Sequence, residues 1–99
     1  MRFGDILRQL RKDSGVGIKK LAPELGVDYS YLSKLETDSI APSADMVHRV
    51  AAYFKYDSDR LLLAAGKVPE EILQILRENP DEALHFLRER FGKAHAGKR

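Results

Sequence analysis

The chain has 99 residues, 43% of them hydrophobic and 32% charged, with no cysteine and no tryptophan. Such a composition suits one globular domain with a modest core; it leaves no room for a deep cleft between domains and excludes disulfides and thiolate metal sites. The formal net charge is +2, with ten basic and nine acidic residues up to Gly66 and seven and six beyond it, so bulk charge does not argue for a polyanionic partner and placement must carry any such argument.

Apolar residues recur at helical rather than strand spacing along nearly the whole chain, which predicts an all-α fold. Phe3, Ile6, Leu7 and Leu10 form the stripe of a first helix that stops at Ser14-Gly15. Leu21, Ala22 and Leu25 mark a short second helix, with Gly26 suited to the left-handed position just past its end. Pro23 lies inside that helix and is expected to shorten or bend it, because it removes a hydrogen bond. Asp28 is placed to cap a third helix that turns Leu32 and Leu35 inward. Ser43, after Pro42, caps a fourth with the stripe Val47, Val50, Ala51 and Phe54, and Asp57 caps a fifth, "SDRLLLAA", closed by Gly66.

Beyond Gly66 the segments "VPEEILQILRE" and "NPDEALHFLRERFG" read as two more amphipathic helices. The second is expected to begin with Asn79 as N-cap, Pro80 as first helical residue and Glu82 at the capping-box position. The expected organisation is a five-helix domain over 1–66, a helical hairpin over 67–92 and a basic, disordered tail over 93–99. No run is long and apolar enough to cross a bilayer, and "MRFGDILRQLRKD" lacks the apolar stretch of a signal peptide, so a cytoplasmic protein without a membrane partner is expected.

The third helix is the unusual one. Its segment "DYSYLSKLE" sits between richly apolar neighbours yet keeps one side polar. The joint that precedes it, "LGVDYS", is short and contains glycine, which is the arrangement of a helix-turn-helix. A polar helix face projecting from such a joint suits the major groove of DNA, where base edges offer donors and acceptors.

From Phe3 to about Gly66 the chain resembles the Cro/C1-type helix-turn-helix family (XRE regulators), in particular its SinR-like members. The matching pieces are "ILRQLRKDSG", "LAPELGVDYSYLSKLE", "PSADMVHRVAAYF" and "DSDRLLLAAG". The specific part is the third-helix string with its distance from "PS" and from "LLLAAG". The resemblance implies a lambda-repressor-like domain that binds double-stranded DNA and regulates transcription, as a dimeric repressor on a palindromic operator. The family's base-contacting positions fall on Tyr29, Ser30 and Lys34. Phosphate contacts are expected from Ser33, Lys19 and Lys20, and from Tyr31, for which packing on a neighbouring helix is an equal alternative. A partly buried pair joining the first and third helices falls on Arg11 and Glu36. Two departures stand out. Gly17-Ile18 replaces the polar pair that usually opens the second helix, and Asp38 puts an anion where the family often has glycine or a base. With no lysine or arginine in "TDSIAPS", they imply modest phosphate affinity and a shallow salt dependence.

Ile72, Leu73, Ile75, Leu76, Leu84, Phe86, Leu87 and Phe91 give more apolar surface than one hairpin can hide. Either the hairpin folds back on the five-helix core or it forms a homodimer seam. The seam is favoured, because reading a palindrome requires two-fold symmetry, and Ile72, Ile75, Leu76, Leu84, Leu87 and Phe91 are its expected residues. Two rival readings are an antitoxin-like chain that neutralises a partner protein while regulating its own operon, and an interaction module that has lost DNA binding. A protein partner or antirepressor is compatible with the first reading as well. His48, His85 and His95 lie far apart without ligand spacing, and no nucleophile elbow occurs, so no metal, no cofactor and no enzymatic activity are expected.

Overall fold

The structure, a computed structural model, describes residues 1–92; the tail over 93–99, expected to be basic and disordered, lies outside the described residues. Seven helices and no strand occur among the described residues: α1 (Phe3–Asp13), α2 (Ile18–Glu24), α3 (Tyr29–Glu36), α4 (Ala44–Phe54), α5 (Ser58–Ala64), α6 (Glu70–Glu78) and α7 (Pro80–Phe91). The chain divides into two compact units, Met1–Lys67 with α1 to α5, and a second from Val68 with α6 and α7.

The first unit is built around one apolar cluster. Phe3 and Leu7 come from α1, Leu21 and Ala22 from α2, Leu32 and Leu35 from α3, Met46, Val47, Val50 and Ala51 from α4, and Leu61 and Leu62 from α5. Each large side chain withdrawn from water contributes roughly 1.5–3 kcal/mol before the entropy of ordering it is subtracted. Ile6 and Leu10, at the edge of the α1 stripe, are half-buried rather than central. α1 packs on α3 and α5, α2 on α3, and α4 on α5. Gly4 allows the first contact to be close, since a Cβ there would lie 2.5 Å from the Glu36 carbonyl oxygen and 2.8 Å from that of Leu35.

Local chemistry sets the helix ends. The side chains of Asp28, Ser43 and Asp57 accept from the backbone N–H groups of Tyr31, Met46 and Arg60, three residues on in each case. At their other ends α1 to α5 all close in the same way, with Val16, Val27, Ser39, Tyr56 and Lys67 donating back to the carbonyls of Arg11, Ala22, Lys34, Ala51 and Leu62. This Schellman closure needs a left-handed residue just before the donor. Glycine supplies it three times, as Gly15, Gly26 and Gly66; Asp38 and Lys55 supply it at φ 59° and 55°. α2 runs through Pro23 and ends one residue later at Glu24, so the lost N–H falls in its last turn.

In the second unit α6 and α7 pack against each other. One residue, Asn79, separates them, and it does not cap α7 as the sequence suggests: its side chain makes no bond to the start of that helix. Instead the amide Nδ2 donates to the Ile75 carbonyl at 3.0 Å, joined by its own backbone N–H at 3.0 Å. A one-residue joint leaves a single polar side chain to serve two helix ends. Here the carbonyls that end α6 take it, so no capping box forms with Glu82. Pro80 does open α7.

Candidate nucleic-acid interface

Four residues, from Leu25 to Asp28, join α2 to α3, with Gly26 left-handed at φ 76°. This turn is pinned from α4. Arg49 donates through Nη1 to the Leu25 carbonyl at 3.0 Å while its Nη2 pairs with Asp45 Oδ2 at 2.9 Å. The Asp45–Arg49 spacing is visible in the sequence, since residues four apart on a helix are neighbours. The carbonyl they are aimed at is not, and sequence reasoning missed this clamp.

α3 is tied to α1 twice. Glu36 is 6% exposed, the one buried charged side chain among the described residues. Arg11 meets it with a fork, Nε donating to Oε2 and Nη2 to Oε1 at 3.1 Å, and its Nη1 reaches the Val16 carbonyl at 3.3 Å. The hydrogen bond to Glu36 outweighs burial and holds the Arg11 guanidinium above its ordinary pKa. Arg8 adds a looser contact at 3.9 Å. The second tie is Asp38, whose Oδ1 accepts from the Gly4 N–H at 3.0 Å. Arg2, at the N-cap of α1, has no acceptor to offer its own helix, and Asp5 answers only the Arg2 N–H, at 3.3 Å. Asp38 supplies the missing acceptor and puts a negative charge at the positive end of α1. The anion that departs from the family pattern is therefore half-buried and bonded inside the fold.

With Leu32, Leu35 and Glu36 buried and Tyr31 half-buried against the core, α3 leaves Tyr29, Ser30, Ser33 and Lys34 exposed, followed by Thr37 at its C-cap. At about 100° per residue these five fall within an arc of roughly 140°. No acidic side chain lies on that arc, because Glu36 is turned inward. Tyr29, 52% exposed, has the Lys19 ammonium 5.5 Å from its ring centroid, so α2 and α3 share this surface; Lys20 is exposed as well. At the N-terminal edge, Asp28 Oδ1 accepts from the Tyr31 N–H at 3.0 Å and from the Ser30 hydroxyl at 2.9 Å. The Tyr31 bond foremost, with Ser30 second, holds the Asp28 carboxyl below the ordinary aspartate pKa.

The structure thus brings Tyr29, Ser30, Ser33 and Lys34 together with Lys19, places Tyr31 at the margin, and keeps Arg11 and Glu36 beneath. The hairpin residues Ile72, Ile75, Leu84, Leu87 and Phe91 are exposed, Leu76 is half-buried, and Phe86, at 60%, joins the exposed set. Among the described residues no cluster of three His, Asp or Glu is arranged to hold a metal ion, and no helix is long and apolar enough to cross a membrane.

Residues 4–67 match a protein family described as a helix-turn-helix domain. Two similar proteins come from Mycobacterium tuberculosis, strains CDC 1551 / Oshkosh and ATCC 25618 / H37Rv, each named an uncharacterized HTH-type transcriptional regulator. Each is 32% identical over 73 residues, which is 73% of this chain and 52% of the relative. The chain spans about half the length of the curated relatives it matches.

Proposed function

Because this chain belongs to the helix-turn-helix family of Cro/C1 (XRE) type, we propose that it is a sequence-specific double-stranded DNA-binding transcriptional regulator. It acts in the cytoplasm as a dimeric repressor that reads a palindromic operator through α3. The observation that carries this reading is the outer face of α3, where Tyr29, Ser30, Ser33 and Lys34 stand exposed, with the Asp28 carboxylate at their N-terminal edge, on a helix tied to α1 by Arg11–Glu36 and steadied at its turn by Arg49. Such a face enters the groove already ordered, so binding spends little on fixing it.

Lys19 and Lys20 stand on the preceding helix as the phosphate-contacting cations, with Ser33 and the exposed part of Tyr31 as neutral donors. Few phosphates are neutralised by so small a set, and the dependence of affinity on salt is accordingly shallow. Two copies are joined through the α6–α7 hairpin, whose exposed apolar residues would otherwise face water. Neither a catalytic step nor a cofactor is required.

Mobility-shift titration against the DNA upstream of the chain's own gene tests the reading. A shifted complex competed by the same duplex and not by random duplex supports it. Equal competition by both removes sequence specificity, and no complex at low salt removes DNA binding. The exposed Phe86 and Phe91, at 60% and 69%, also favour a second reading in which the hairpin is the seat of a different protein, as in an antitoxin. Stoichiometric co-purification with the product of a neighbouring gene would favour it.

A further inference from the structure

The exposed face of α3 lacks arginine, asparagine and glutamine, whose planar groups grip a base edge with two bonds, and its one cation is Lys34. Its polar groups are Tyr29, Ser30, Ser33, Lys34 and Thr37, and hydrogen bonds inside the fold limit what Ser30 and Thr37 can offer. The Ser30 hydroxyl lies 2.9 Å from Asp28 Oδ1. A carboxylate can only accept, so the serine's single hydrogen points at Asp28 and its oxygen faces outward with lone pairs alone. Asp28 is held in place by its second bond, from the Tyr31 N–H at 3.0 Å. Thr37 is closed into the helix end, 3.3 Å from the Lys34 carbonyl and 2.7 Å from the Ser39 hydroxyl. Lys34 carries three donors and no acceptor, and makes no ion pair among the described residues. The Tyr29 and Ser33 hydroxyls can donate or accept, but Ser30 is fixed as an acceptor and Lys34 as a donor, one helical turn apart.

In the major groove guanine shows two acceptors, O6 and N7, while cytosine and adenine show an amine. We propose, resting on the DNA-reading function above, that each operator half-site places a guanine under Lys34 and, at Ser30 on the same strand, a base that presents an exocyclic amine. Four residues of α-helix rise about 6 Å and base pairs about 3.4 Å, which separates the two positions by about two base pairs. Cytosine suits Ser30 better than adenine, because adenine sets the acceptor N7 beside its amine and would confront the serine lone pairs. Thymine offers Ser30 only an acceptor and a methyl group, and guanine only acceptors.

The test is selection by the full chain from a pool of randomised duplexes, repeated with Lys34→Ala and Ser30→Ala. Both residues are exposed, and unchanged thermal melting of each variant confirms that the fold is kept. The wild-type pool should converge on a guanine and, about two steps away, a cytosine or adenine. Lys34→Ala should flatten the guanine column alone, and Ser30→Ala the amine column alone. In the selected duplex, 7-deazaguanine removes N7 and should weaken wild-type binding about tenfold, on the scale of one good base contact. Inosine keeps the same major-groove edge and should bind unchanged. A guanine column that survives Lys34→Ala, indifference to 7-deazaguanine, or thymine or guanine at the Ser30 position overturns the inference while leaving DNA binding intact. If the wild-type chain enriches no duplex at all, the DNA-reading function itself falls.

Discussion

Asp38 and Lys55 hold the same left-handed backbone state at two helix ends, but only one of them has a bond that explains its presence. Left-handed geometry costs an L-residue about 1–2 kcal/mol relative to glycine. Lys55 is exposed, and no hydrogen bond or ion pair of its side chain offsets that cost among the described residues. Lys55→Gly should therefore raise stability by up to about 1 kcal/mol, allowing for the extra freedom glycine has when unfolded. Asp38 returns the cost through its bond to the Gly4 N–H. Asp38→Ala keeps the strain and loses the acceptor, and should destabilise by about 1–3 kcal/mol. Urea unfolding distinguishes the two sites; an Asp38→Ala midpoint equal to wild type would mean water serves Gly4 just as well. Glu36 is a third case. Removing its carboxylate strands the Arg11 guanidinium in a half-buried site, and Glu36→Ala should cost roughly 3 kcal/mol. A melting temperature that does not move would show that the pair contributes nothing net.

α3 has eight residues, too few to be stable alone, so its order comes from what surrounds it. The Asp28 cap is a contributor that acid removes. Its carboxyl titrates below the ordinary value of 3.8, so its stabilising contribution is fully present above that value. It is lost as the pH falls through the lowered folded-state value. Acidification should lower the hydrogen-exchange protection of the Tyr31 amide before that of the α4 core amides, and Asp28→Ala should show that lower protection at neutral pH. Equal protection of Tyr31 in both proteins would mean the cap does not hold the helix start. The cap is also the kind of feature a sequence displays, because Asp28, Ser43 and Asp57 each act on an amide three residues away. The apolar stripes were equally legible and placed α1 to α5 nearly as they are. What was hidden depends on neighbours distant in the chain. Asp38 looks like a misplaced anion until α1 lies beside it, and Arg49 looks like half of a surface pair until Leu25 turns its carbonyl toward it. Asn79 misled for the opposite reason: its environment is local, but one residue cannot cap two helices, and composition does not say which end wins.

Every residue of the apolar core cluster belongs to Met1–Lys67, and the last backbone bond that closes α5 comes from Lys67 itself. A chain ending at Lys67 should therefore fold with the α1 to α5 core intact. If the α6–α7 hairpin joins two copies, that shortened chain should be monomeric by light scattering at concentrations where the full chain is dimeric. Its affinity for a single half-site should be nearly unchanged, since α3 and the residues that hold it are all present. Its affinity for the full palindrome should drop by a factor of a hundred or so, because a tethered second copy meets its half-site at roughly millimolar effective concentration and a free one does not. Half-sites should be centred about 10 base pairs apart, or a multiple of that, so that both copies of α3 enter the same side of the duplex. Leu87→Glu offers a check that keeps the chain length. Leu87 is 43% exposed, so a glutamate there can be solvated in a lone chain, whereas in a closed seam it would be buried without a partner. The variant should fold normally and behave as the shortened chain does. A shortened chain that stays dimeric, or a full-length chain that is monomeric at high concentration, would show that the exposed hairpin residues serve some surface other than a second copy.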